Sequence, residues 1–60
     1  MSLKAWLGRV RLERARELLT HSPLPIKAIA RACGFQDERY FTTCFRRAFG
    51  QPPGAFRRSN

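Results

Sequence analysis

Apolar residues along this chain recur three and four positions apart, and no run of alternating β-branched residues marks a strand. Two breaks, "THSPLP" at 20–25 and "GQPPG" at 50–54, are rich in residues that stop or start helices. The pattern predicts an all-α chain of three helical stretches and a short tail. No repeat or low-complexity tract interrupts it.

The first stretch, 3–20, does not carry a single narrow stripe. At about 100° per residue, Leu3, Trp6, Leu7 and Val10 gather on one sector, and Leu12, Ala15 and Leu19 on a neighbouring one with Leu18 between them. Such a helix has two apolar clients. Its polar sector, with Arg9, Glu13, Arg16 and Glu17, permits i,i+3 and i,i+4 pairs worth only a few tenths of a kcal/mol and reads as solvated.

The second stretch follows Pro23, with Pro25 suited to the first helical position, and runs through Ile26, Ile29 and Ala30 to a stop at Gly34. Gly34 suits a positive φ, and Phe35 suits the apolar contact that seals such a helix end. Asp37 is a fitting N-cap for the third stretch, 38–49. There Tyr40, Phe41, Cys44, Phe45 and Ala48 span one arc and Arg39, Thr42, Thr43 and Arg46 the opposite one, with Arg47 at the flank. Because the rings keep helical spacing, they read as core rather than as base-stacking platforms.

Sixty residues make one domain, and a chain this short hides only about 60% of the surface its unfolded form exposes. Twelve basic against four acidic residues leave a net charge of +8, which favours a polyanion, with nucleic acid the default. No apolar run approaches the ~20 residues of a membrane span and no signal-peptide core is visible, so a cytoplasmic protein without a membrane partner is expected. Cys33 and Cys44 lack the spacing of a zinc site, and His21 is distant from both; free, buried, reduced thiols are expected, with no metal and no cofactor. One histidine, four carboxylates and no phosphate-cradling glycine loop leave nothing from which to assemble an enzyme site.

A short helix, a glycine turn and a second helix with a basic, threonine-bearing outer face make a helix-turn-helix at 25–49, whose second helix enters the DNA major groove. Threonines let the backbone approach and offer a methyl to thymine. Arg39 can fork onto guanine O6 and N7, and Glu38 could accept from a cytosine amino group, although a first-turn glutamate also serves the helix dipole. Arg46 is placed to reach phosphate.

The segment "PIKAIARACGFQDERYFTTCFRRAFGQPPGAFR" resembles the C-terminal signature of AraC/XylS-type bacterial transcription regulators. The shared features are an isoleucine-alanine helix, "CGF", an aromatic pair in the recognition helix, "FRR" before "FG", and a proline followed by an aromatic-arginine ending. "RLERARELL" resembles the linker helix of that family, so the likeness extends from Arg11 to Arg58. The resemblance implies a small homeodomain-like bundle: linker helix 3–20, helix-turn-helix 25–49 and a short helix 53–58 that would touch phosphate. It implies sequence-specific binding to double-stranded DNA by the second of two helix-turn-helix units, with base contacts from Glu38, Arg39, Thr42 and Thr43 and a backbone contact from Arg46. Arg47 is a further backbone candidate, as are Lys27 and Arg31 on the supporting helix. Leu12, Ala15 and Leu19 would pack on the unit present, while Leu3, Trp6, Leu7 and Val10 would face a missing N-terminal helix-turn-helix subdomain. In this reading the chain is a fragment or a truncated product.

Two positions depart from that pattern. Pro25 stands where a polar cap is usual, and Thr43 where a basic residue is frequent. Arg9, Arg11, Arg14 and Arg16 read as solvated or ion-paired, and Arg57 and Arg58 could equally cap helix carbonyls or add diffuse attraction. A rival reading is a protein-interaction module, in which the basic face contacts RNA polymerase or the Trp6 face pairs two chains. A cationic membrane-active helix is disfavoured because the basic residues are divided among three helices.

Overall fold

The computed structural model describes residues 3–59, with side chains from Leu7 onward. Four helices follow in order: α1 (Leu3–His21), α2 (Ile26–Ala32), α3 (Glu38–Phe49) and α4 (Pro53–Arg58), and no strand occurs among the described residues. The helices surround one apolar cluster of Leu12, Ala15, Leu19, Ile29, Ala30, Cys33, Phe35, Phe41 and Phe45.

α1 divides along its length as its two apolar sectors require. Leu12, Ala15 and Leu19 are buried, whereas Leu7 and Val10 remain 39% and 46% exposed. Leu3 and Trp6, expected on that second face, have side chains outside the described residues. The polar sector is more organised than a solvated face. Arg16 reaches Glu13 at 2.7 Å, and its guanidinium carbon lies 5.2 Å from the centre of the half-buried Phe49 ring, within cation–π range.

Pro25 does not open α2 from inside; it occupies the N-cap with extended backbone (φ −64°, ψ 153°). Its carbonyl accepts the first intrahelical bond from Ile29 N–H at 3.0 Å, and no side chain caps the free N–H groups. The α2 end is a closed motif. Gly34 takes φ +91°, its N–H donates to Arg31 O at 3.0 Å, and Phe35 N–H donates to Ala30 O at 2.9 Å. Those two bonds and the burial of Phe35 against Ala30 make a Schellman stop, which turns the chain sharply into α3. Arg11 lies across this turn, its Nε only 3.2 Å from where a Cβ on Gly34 would sit.

α3 starts on the Asp37 cap, whose carboxylate accepts from Arg39 N–H at 2.9 Å, and stops at Gly50 (φ 84°). Its buried face differs from the expected one. Phe41 and Phe45 are fully buried, but Tyr40 is 60% exposed and Ala48 is exposed, while Phe49 and Thr42 are half-buried. The inward arc is therefore turned by roughly 60° from the sequence expectation, toward Phe49. The physical reason is the phenol of Tyr40, which keeps a wet end that Phe49 does not need. Tyr40 still leans on Phe35, 6.1 Å between ring centres.

α4 closes the bundle. Phe56 meets Phe45 edge-on at 5.5 Å, and Arg57 donates from Nη2 to Ser22 O at 3.2 Å and, more weakly, from Nε to Leu19 O at 3.4 Å. Arg57 thus caps the carbonyl end of α1, the first of the two roles left open for it. Cys33 is buried and Cys44 half-buried, and both are free thiols. Burial pushes the Cys33 thiol up, with the Arg14 charge pulling weakly the other way.

Three outcomes follow from this packing. Phe45→Ala is expected to cost about 3–5 kcal/mol and abolish the cooperative thermal transition by circular dichroism, while Tyr40→Ala costs under about 1 kcal/mol. Gly34→Ala forces an L side chain to positive φ against Arg11 and is expected to lower stability by at least about 1 kcal/mol in urea unfolding. At neutral pH, where only the thiolate reacts, iodoacetamide is expected to label Cys44 before Cys33, as peptide mapping would read.

Candidate nucleic-acid interface

The core-facing rings of α3 leave an opposite surface of uniform chemistry. Arg39, Thr43, Arg46 and Arg47 are exposed there, as are Tyr40 and, at the start of the helix, Glu38. Because the buried arc is turned toward Phe49, Arg47 moves from the flank to the middle of the outer face and Thr42 moves to its edge, half-buried. Arg39, Thr43 and Arg47 now stand one helical turn apart from each other, about 6 Å between steps.

Three polar groups at this face, Asp37, Thr43 and Tyr40, make defined interactions. The Asp37 carboxylate is committed to the backbone of α3, which orients the first turn. The Thr43 hydroxyl donates to Arg39 O at 3.1 Å, so its proton is spent within the helix. Arg39, Arg46 and Arg47 make no salt bridge with a carboxylate among the described residues, where the Arg16–Glu13 pair is found instead. A hydrogen bond with the Cys44 side chain, followed by that group's charge, pushes the Tyr40 phenol up, with the Arg47 charge pulling the other way.

Lys27 and Arg31 are exposed on α2, which packs against α3. The remaining feature lies on α1, where Leu7 and Val10 are exposed around Gly8. Gly8 borders two clefts: one of about 380 Å³ against Ala48 and Phe49, and one of about 160 Å³ against Tyr40 and Cys44. A mid-helix glycine costs roughly 1 kcal/mol relative to alanine, and a Cβ there would meet nothing within 4 Å.

Sequence reasoning missed Tyr40 as a surface residue and Arg11 as a cover on the α2–α3 turn. The phenol oxygen was the available signal for the first. Nothing local signals the second, since Arg11 and Gly34 meet only through tertiary packing. Among the described residues, no three His, Cys, Asp or Glu side chains gather as a metal site, and no helix is long and apolar enough to cross a membrane.

Comparison with known proteins gives this arrangement a family. Residues 1–59 match the family described as "Helix-turn-helix domain". The HTH-type transcriptional activator RhaR from Salmonella arizonae and from Salmonella newport is 42% identical over 57 residues, which is 95% of this chain and 20% of those proteins. Among solved structures, the C-terminal domain of AraT, a response regulator from Geobacillus stearothermophilus, superposes with a TM-score of 0.95 at 38% identity, covering all of this chain and 50% of that one. The C-terminal domain of the two-component response regulator yesN from Fusobacterium nucleatum gives 0.92 at 32% identity, covering 95% of this chain and 55% of that one. The chain thus spans a fifth of the length of these curated relatives and about half of the solved domains. The class is one of transcription regulators and not of enzymes. The chain belongs to the helix-turn-helix domain family, as a C-terminal DNA-binding region of the AraC/XylS type.

Proposed function

We propose that this chain binds double-stranded DNA sequence-specifically as the second helix-turn-helix of a transcription regulator, with α3 as the recognition helix in the major groove. One observation carries the reading: an exposed row of Arg39, Thr43 and Arg47 set directly behind fully buried Phe41 and Phe45, with no carboxylate paired to it among the described residues. A rod anchored by two rings presents its outer side chains in a fixed order, which groove readout requires.

The contacts then divide by position. Arg39, near the helix start, forks onto a guanine edge, and Thr43 lies beside it over the bases. Glu38 and Thr42 are edge contributors, the latter limited by its partial burial. Arg46 and Arg47, in the last turns, hold phosphates, and Lys27 and Arg31 on α2 grip the flanking backbone. With these few contacts, most affinity comes from counterion release and falls steeply with salt.

Leu7 and Val10 support a second part of the reading. Two large apolar side chains exposed around a glycine and between two clefts form a face that receives a neighbouring helical subdomain in a longer regulator.

Band-shift titrations on a preferred and a random duplex test the division of labour. Arg39→Ala is expected to cost about 1–3 kcal/mol on the preferred duplex alone, and Arg46→Ala to weaken both equally and lower the salt slope by about 1. Equal losses for both variants on both duplexes would sink the proposal.

A further inference from the structure

We infer that Thr43 reads the methyl group of a thymine, and that this thymine lies within two base steps of the guanine read by Arg39. The inference rests on α3 being the recognition helix and adds to it the identity of two bases.

The argument begins with the hydroxyl proton. Thr43 Oγ1 donates to Arg39 O at 3.1 Å, one turn back along α3. A threonine so bonded has no donor left for a base, only an oxygen lone pair and a methyl group. Guanine presents two acceptors in the major groove, N7 and O6, and neither can bond to such an oxygen. Thymine presents a methyl for the threonine methyl to cover. Adenine and cytosine offer amino donors that the Thr43 oxygen could accept, but thymine alone rewards the apolar end.

The neighbours of Thr43 sharpen the choice. Arg39 stands one turn before it and Arg47 one turn after, both exposed and both donors only. In a row of donors, Thr43 is the one short residue with an apolar tip. The bond to Arg39 O also ties the Thr43 rotamer to the helix backbone one turn back. Their separation of about 6 Å is roughly two base steps of 3.4 Å, which places the guanine and the thymine one or two base steps apart.

The test uses the full chain at low ionic strength and fluorescein-labelled duplexes selected by it from a random library. Deoxyuridine is then substituted for thymidine, one position at a time, which removes the methyl and nothing else. At one position within two steps of a guanine, the substitution is expected to weaken binding about fourfold, the worth of one buried methyl. Thr43→Val, which keeps a methyl at the same place, is expected to retain that ratio. Thr43→Ser, which keeps the hydroxyl and loses the methyl, is expected to bind both duplexes equally. No sensitive thymine, or a ratio that survives in Thr43→Ser, overturns the assignment while leaving α3 as the recognition helix intact. A ratio lost in Thr43→Val means that the hydroxyl does the reading and overturns it equally. Selection of duplexes whose binding is indifferent to Arg39→Ala and Thr43→Ser together would instead remove α3 from the groove.

Discussion

Phe45 is where the fold is decided. Its ring is fully buried and meets Phe41 at 5.8 Å, Phe49 at 4.7 Å and Phe56 at 5.5 Å, so α3 packs against itself and α4 through one side chain. Phe41 carries the contact on to Phe35 at 5.1 Å, in the turn after α2. A 60-residue chain has little apolar area to spare, and a continuous file of rings obtains much from few residues. The same file sets the rotation of α3 about its own axis. Whatever that rotation is, the outer face is its complement, so the anchoring of the rings and the presentation of the arginines are one constraint.

The turns serve that constraint. The Schellman stop at Gly34 fixes the angle at which α3 leaves α2, the Asp37 carboxylate fixes where α3 begins, and Gly50 fixes where it ends. Arg57 then ties α4 to the carbonyl end of α1, two helices separated by more than thirty residues of chain. Charge is distributed accordingly. Arg57 and Arg16 are spent on internal bonds and on covering a ring, while those on the outer face of α3 are left to a partner. A high count of basic residues therefore overstates the footprint available to DNA.

The face around Gly8 follows a different logic. Leu7 and Val10 keep 39% and 46% of their surface exposed, and a Cβ on Gly8 would meet nothing within 4 Å, so this part of α1 adds less to the bundle than Leu12, Ala15 and Leu19 do.

Local chemistry in the sequence was enough to place the helices, because proline, glycine and aspartate act within a few residues of where they stand. The stop at Gly34, the cap at Asp37 and the two sectors of α1 are of this kind, and they locate α3 and its basic, threonine-bearing side. What the sequence could not settle was the exact roll of α3. An apolar arc counted from residue types includes Tyr40 and Ala48 and leaves out Phe49, and only the competition for one crowded interior turns the phenol outward and draws Phe49 under Arg16. That roll exposes Arg47, half-buries Thr42 and leaves Thr43 at the centre of the outer face. Local periodicity names the candidates for a surface; the packing of the other helices decides which of them stand at its middle.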